Sequence, residues 1–138
     1  MRVEILFVAG FASIVADPKS GRAFYKDALG LPLTEVSGDY LAVDGFGGTK
    51  HFGVWPLADA AMSCFGTPEW PSHVPVPQAT IEFEVPDVVT AAAELRDAGH
   101  TLVHDTRIEP WGQTVARLLG PEGLLIGLTQ TPWLHEPH

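Results

Sequence analysis

The sequence predicts an α+β fold, built as two β-α-β-β-β modules in one chain of 138 residues. Three observations predict it. A stretch with an Asp start, apolar positions at helical spacing and a Gly stop, "VADPKSGRAFYKDALG", returns as "VPDVVTAAAELRDAGH". Each copy has one strand-like run before it and three after it. The copies keep nearly constant spacing: 87 − 17 = 70 between helix starts and 127 − 53 = 74 between last strands, as a duplicated unit requires.

The first module, residues 7–55, opens with the strand "FASIVA". The longer apolar run "ILFVAGFASIVA" follows Arg2, but Glu4 precedes it and a helix start follows at once. A buried strand is therefore expected rather than a cleaved leader, and the run is too short to span a membrane as a helix. Asp17 is placed to accept free amide hydrogens of the first helical turn. Gly30 suits the left-handed residue that ends a helix. Phe24, Ala28, Leu29 and Leu31 form the stripe expected to face the core. The strands "LPLTEV", "YLAVDGF" and "KHFGVW" complete the module. The second module, residues 80–130, repeats the plan with "TIEFEV", a helix from Asp87 to Gly99, then "HTLVHD", "QTVARLL" and "LLIGLT". The turn "GPEG" before the last strand has the residues a tight turn needs.

Residues 56–79 join the modules and hold Pro56, Pro68, Pro71, Pro75 and Pro77. Proline fixes φ and removes a donor, so a stiff, irregular connector is expected. Its aromatic residues, Phe65 and Trp70, make it a candidate mobile or ligand-responsive cover. Residues 131–138 form a polar tail in which His135 and His138 are expected to be solvated. The whole of 1–138 is expected to be one domain.

Composition excludes several function classes. With 8 basic against 17 acidic residues the formal net charge is −9. Phosphate backbones and anionic membrane surfaces both demand Lys and Arg, so neither nucleic acid nor membrane is an expected partner. The single cysteine, Cys64, rules out an internal disulfide and points to a reducing compartment, the cytoplasm. No base lies near it in sequence to activate it as a nucleophile.

The paired modules, "FYKDALGLPL" after the first strand and "PWGQTVARLLGPEGLLIGL" near the end resemble the vicinal oxygen chelate superfamily. That group includes glyoxalase, bleomycin-resistance proteins and extradiol dioxygenases. The resemblance runs from about Phe7 to about Gln130. It implies a mixed sheet curled around a shared cleft, and a homodimer. In the family's enzymes the cleft holds a divalent metal on ligands from the first and last strands of each module. The first-strand ligand lies seven residues before the helix-starting Asp, which gives Gly10 and Thr80 here. The last-strand positions are Gly53 and Gly127. Glycine has no side chain to offer and threonine is a poor ligand for these metals. The resemblance is therefore to a bleomycin-resistance-like branch lacking the metal ligands, with no metal and no cofactor expected.

Strand alternation sets which residues share the cleft face. Ala12 and Ile14 follow Gly10 inward, His51 and Trp55 flank Gly53, Glu82 and Glu84 follow Thr80, and Leu125 and Thr129 flank Gly127. The opposite face is apolar, as a face under helices should be: Phe11, Val15, Phe52, Val54, Ile81, Phe83, Val85, Leu124, Ile126 and Leu128. A slip of one residue would bury both glutamates under a helix. The expected ligand-binding set is Trp55, His51, Glu82, Glu84, Trp111, Gln113, Arg117, Trp70 and Phe65. Tryptophan offers flat faces to a planar molecule, Gln113 offers hydrogen bonds, and Arg117 is a candidate ion-pair partner of Glu82. No residue is assigned a catalytic role. His51 with Glu82 or Glu84, joined by His104, is the candidate for an acid–base pair or a displaced metal site.

These residues lead to three functional expectations. The first is metal-independent binding of a small, partly aromatic molecule that can carry positive charge; antibiotic sequestration follows by family analogy. The alternative is a metal-dependent lyase, isomerase or dioxygenase with displaced ligands. The third is a dimer scaffold.

Overall fold

The computed structural model describes residues 3–135. All eight expected strands form: β1 (Phe7–Val15), β2 (Thr34–Ser37), β3 (Tyr40–Asp44), β4 (His51–Pro56), β5 (Ala79–Glu84), β6 (Leu102–Ile108), β7 (Thr114–Leu119) and β8 (Leu125–Gln130). They make one mixed sheet in the order β2-β3-β4-β1-β5-β8-β7-β6. The two halves mirror each other. β1 runs parallel to β4 and β5 parallel to β8, while β1 and β5 meet antiparallel at the centre, with Phe11 opposite Ile81. The sheet curls without closing, since β2 and β6 remain free edges.

Helices cover the convex face. α1 (Pro18–Gly21) starts with Pro18, and Asp17 Oδ1 accepts from Lys19 N at 3.1 Å. The chain then winds as a π-helix over Arg22–Ala28, closed by Leu29 N donating to Phe24 O at 2.9 Å. The expected core stripe is corrected here. A π turn takes one more residue than an α turn, so the winding carries the stripe off the sheet. Phe24 and Leu29 are 53% and 54% exposed, and Ala28 is exposed too. Of the stripe only Leu31 packs as expected, and Tyr25 joins it against Leu33, Leu41 and Val54.

α3 (Val88–Asp97) buries Val88, Ala91 and Ala92 against Val85, Ala116 and Leu128. Its start is also corrected. Asp87 holds the cap position, but its carboxylate accepts from Thr90 Oγ1 at 2.6 Å. The first free amide, Val88 N, donates to Gln130 Oε1 at 2.9 Å. Gly30 (φ 69°) and Gly99 (φ 97°) end the two helices in the left-handed region.

The connector departs most from expectation. It opens with α2 (Leu57–Phe65), capped by Gly66 at φ 77°. Ala60, Ala61 and Cys64 are buried, and the helix packs on the concave side against Ala12, Trp55 and Leu125. Pro56 ends β4 and caps this helix, and the other four prolines belong to the segment after it. Phe65 and Trp70 meet edge to face at 4.9 Å, and Trp70 Nε1 donates to Val74 O at 3.0 Å. Among the described residues no helix is long and apolar enough to cross a membrane.

Candidate functional site

The concave face holds an open cleft of about 1180 Å³ between the two modules, with α2 as one wall. Of the expected set, His51, Trp55, Thr80, Glu82, Trp111, Gln113 and Arg117 line it, together with Gly10. Phe65, Trp70, Gly53, Gly127 and Glu84 do not. Phe65 and Trp70 are occupied with each other and with the hydrophobic cluster behind α2.

Glu84 has the expected parity, yet it is fully buried. Its Oε1 accepts from Thr129 Oγ1 at 2.9 Å; its Oε2 accepts from Thr131 N at 2.5 Å and His135 Nε2 at 2.7 Å. Residues 131–135 fold over this end of β5 and remove it from the cleft. His135 is exposed as expected, its side chain 46% accessible, but one face of the ring lies 5.5 Å from the Phe7 ring and its Nε2 is tied to Glu84. His138 lies outside the described residues.

Glu82 does face the cleft. Gln113, itself buried, donates through Nε2 to Glu82 Oε1 at 3.1 Å and Thr131 Oγ1 at 2.9 Å. Gln113 Oε1 in turn accepts from Trp111 Nε1 at 3.0 Å. Arg117 does not pair with Glu82. It is wholly buried, stacks on Trp55 at 5.4 Å, and donates through Nη1 to Glu109 Oε1 at 2.9 Å and His104 Nε2 at 3.1 Å. His104 fits this as a neutral ring: Nδ1–H donates to Asp105 O at 2.7 Å, leaving Nε2 to accept. Burial, with the Arg117 and Arg107 charges, pushes its pKa down to about 4.

The three glycines among the four glycine and threonine positions leave little free space beside them. A Cβ on Gly53 would stand 2.7 Å from Tyr40 Oη, one on Gly10 3.3 Å from His51 Cβ, and one on Gly127 3.2 Å from Glu82 Cγ. Tyr40, His51 and Glu82 thus lean into the places that larger residues would take. These positions supply no imidazole or carboxylate. Among the described residues no cluster of three or more His, Cys, Asp or Glu side chains could hold an ion. The donor set does not fit a resident divalent metal.

His51 is committed elsewhere. Its Nδ1 donates to Asp44 Oδ1 at 2.6 Å, and its Nε2 accepts from the Tyr40 hydroxyl. Burial, with the Glu82 and Asp44 charges, holds the Tyr40 phenol far above its usual range, so it stays protonated. The chain Asp44–His51–Tyr40 can move or hold a proton at the cleft wall. Cys64 is buried and its thiol is pushed up by burial, which makes it a poor nucleophile.

Cleft residues that escaped the sequence reading include Tyr40, Asp44, Arg107, Glu109 and Trp133. Arg107 near the end of β6 and Glu109 just beyond it stand two apart, a same-face spacing visible in "RIE" once the strand is extended past Asp105. Tyr40 and Asp44 bracket β3, four apart and on one face, but nothing local marks that face as the cleft.

Comparison with known proteins joins these observations. No curated protein matches the sequence. Among solved structures, a glyoxalase/bleomycin resistance protein/dioxygenase superfamily member from Vibrio splendidus 12B01 is 13% identical, with 93% of this chain and 100% of that chain covered and a TM-score of 0.56. Methylmalonyl-CoA epimerase from Mycobacterium tuberculosis is 18% identical over 94% of this chain and 91% of that one, TM-score 0.59. A Streptomyces coelicolor methylmalonyl-CoA epimerase complexed with 2-nitronate-propionyl-CoA is 18% identical over 97% and 100%, TM-score 0.57. At these identities the likeness is one of fold. Residues 8–128 match the profile described as Glyoxalase/Bleomycin resistance protein/Dioxygenase superfamily. With the mirrored modules, the curled sheet and most of its length so matched, this chain belongs to the glyoxalase/bleomycin resistance protein/dioxygenase superfamily.

Proposed function

We propose that this protein binds a small, partly aromatic molecule in its cleft without a metal. One observation carries the reading. The cleft is large enough for a drug-sized ligand and is walled by Tyr40, Trp55, Trp111 and Trp133, while the positions where the family's enzymes carry metal ligands hold Gly10, Gly53, Thr80 and Gly127. Mostly apolar walls with a few placed polar groups are what such ligands need. Antibiotic sequestration fits by analogy with the bleomycin-resistance proteins of the superfamily, and a cytoplasmic homodimer completes the proposal. The test is calorimetric titration of chelator-treated protein with planar aromatic compounds. Micromolar binding that added Zn²⁺, Ni²⁺ or Mn²⁺ leaves unchanged is expected; binding seen only after metal loading would overturn the reading.

A second reading is an enzyme, favoured by the Asp44–His51–Tyr40 chain beside Glu82. Two of the similar structures are methylmalonyl-CoA epimerases. A displaced metal on His51 is the weaker form of it, because both ring nitrogens are already bonded. Acid–base exchange is the stronger form, with Glu82 as acceptor and the Tyr40–His51 pair returning a proton. Deuterium uptake at the carbon next to a thioester carbonyl, abolished by Tyr40→Phe, would support it.

A further inference from the structure

Among the described residues six buried side-chain polar atoms have no hydrogen-bond partner. Four of them belong to three residues of the cleft: Thr80 Oγ1, Arg107 Nη2, Arg117 Nε and Arg117 Nη2. An unpartnered buried polar atom costs about 1–3 kcal/mol, and more when charged. Such a cluster in one place calls for a common partner.

The pattern of vacancy is specific. Arg117 uses only Nη1, toward Glu109 and His104. Its other edge, Nε with Nη2, is the side of the guanidinium that grips a carboxylate with two parallel bonds. Charge points the same way. Arg107 Nε reaches the same Glu109 Oε1 at 3.6 Å, so two guanidiniums share one carboxylate. His104 is neutral, and the cluster is left one positive charge in excess. Glu82 does not balance it, since its bond is to Gln113 and it makes no ion pair with either arginine. The Cys64 thiol beside Arg117 is protonated and a weak acceptor.

Building on the binding reading above, we infer that the ligand carries a carboxylate and that it seats against Arg117 and Arg107, with the Thr80 hydroxyl as a third donor. The aromatic body then lies along Trp55, on which the Arg117 guanidinium already stacks. This reverses the ligand charge that the acidic composition suggests. The net charge of −9 belongs to the whole surface, whereas the group that touches the ligand's polar end is set by the buried arginines. A carboxylate supplies the missing charge and two acceptor oxygens at once to these four donors, whose atoms are buried, where charge-assisted bonds are strong.

The experiment titrates the full-length protein by calorimetry with 2-naphthoate, 2-naphthamide and 2-naphthylmethylammonium, which share one aromatic body. Naphthoate is expected to bind at least about tenfold tighter than the amide, the ratio one charge-assisted bond gives, with the ammonium compound weakest. Arg107→Gln should bring naphthoate down to the amide's affinity; it sits at the cleft edge with its side chain 36% exposed, so the fold should survive. Arg117→Lys should do the same where it folds. Equal binding of naphthoate and naphthamide would overturn the carboxylate subsite and leave the binding reading standing. Tightest binding of the ammonium compound would likewise overturn it, as would a naphthoate preference unchanged in Arg107→Gln. If none of the three binds, the binding reading falls together with this one.

Discussion

Replacing Glu84 by glutamine is expected to weaken the fold while leaving the cleft intact. Glu84 is fully buried and accepts three hydrogen bonds, from Thr129 Oγ1, Thr131 N and His135 Nε2. Glutamine keeps one oxygen, enough for the Thr131 amide and the His135 ring. Its amide nitrogen then faces Thr129 Oγ1, which can turn to accept. The loss is therefore of charge assistance rather than of contacts. Bonds to charged groups are worth about 1.5–3 kcal/mol against about 0.5–1.5 for neutral ones, so the two fully buried bonds, from Thr129 and Thr131, together lose about 2–3 kcal/mol. Glu84→Ala leaves a buried amide without an acceptor and opens a void, and should cost about 3–5 kcal/mol. Urea unfolding followed by tryptophan fluorescence reads both. At a slope of about 2 kcal/mol per molar, the glutamine midpoint should fall by roughly 1 M with the slope unchanged. Affinity for a cleft ligand should match wild type. A midpoint within about 0.2 M of wild type, or lost affinity at unchanged stability, would refute the placement of Glu84 under residues 131–135.

Three further predictions address other parts of the molecule. His104 has a folded pKa of about 4 against an ordinary 6.5, so the unfolded chain takes up its proton first as pH falls. The neutral ring's contribution is thus whole above pH 6.5 and is lost on descending toward 4, and His104→Gln should flatten that part of a stability–pH curve; an unchanged curve would count against the buried neutral ring. Gly53→Ala would push a methyl within 2.7 Å of Tyr40 Oη, and should cost about 1–3 kcal/mol and displace the His51 imidazole resonances in NMR; unaltered resonances would show that Tyr40 yields freely. The proposed homodimer should appear by light scattering as twice the 14.9 kDa of one chain, and a mass of one chain at micromolar concentration would dismiss it.

Much of this was legible in the sequence because it is local. Strand alternation has period two, so the parity of Glu82, Glu84 and Thr80 followed from their own neighbours. Helix stops at Gly30 and Gly99 are set by a conformation that glycine alone adopts cheaply. α2 was legible too: Ala60, Ala61 and Cys64 have helical spacing and Gly66 closes the turn, but the prolines of 68–77 drew the whole connector into one irregular reading. The π-winding that turned Phe24 and Leu29 outward was not legible, since the same apolar stripe suits an α-helix.

The sequence by itself determined the two modules, the eight strands and which residues share a face. It also determined that glycine or threonine stands at each of the four positions the family resemblance picked out. Only the tertiary structure decided what each face meets. Glu82 and Glu84 are two residues apart with the same parity, yet one borders the cleft beside Gln113, while the other lies under a segment some fifty residues later in the chain. Arg117 found Glu109 rather than Glu82 because β6 and β7 pair antiparallel and bring the end of one strand beside the start of the other. Tyr40 reached the space beside Gly53 because β3 and β4 lie side by side. The physical reason is one of range. Backbone geometry dictates the direction of a side chain within two or three residues, but its partner is chosen by how distant segments pack.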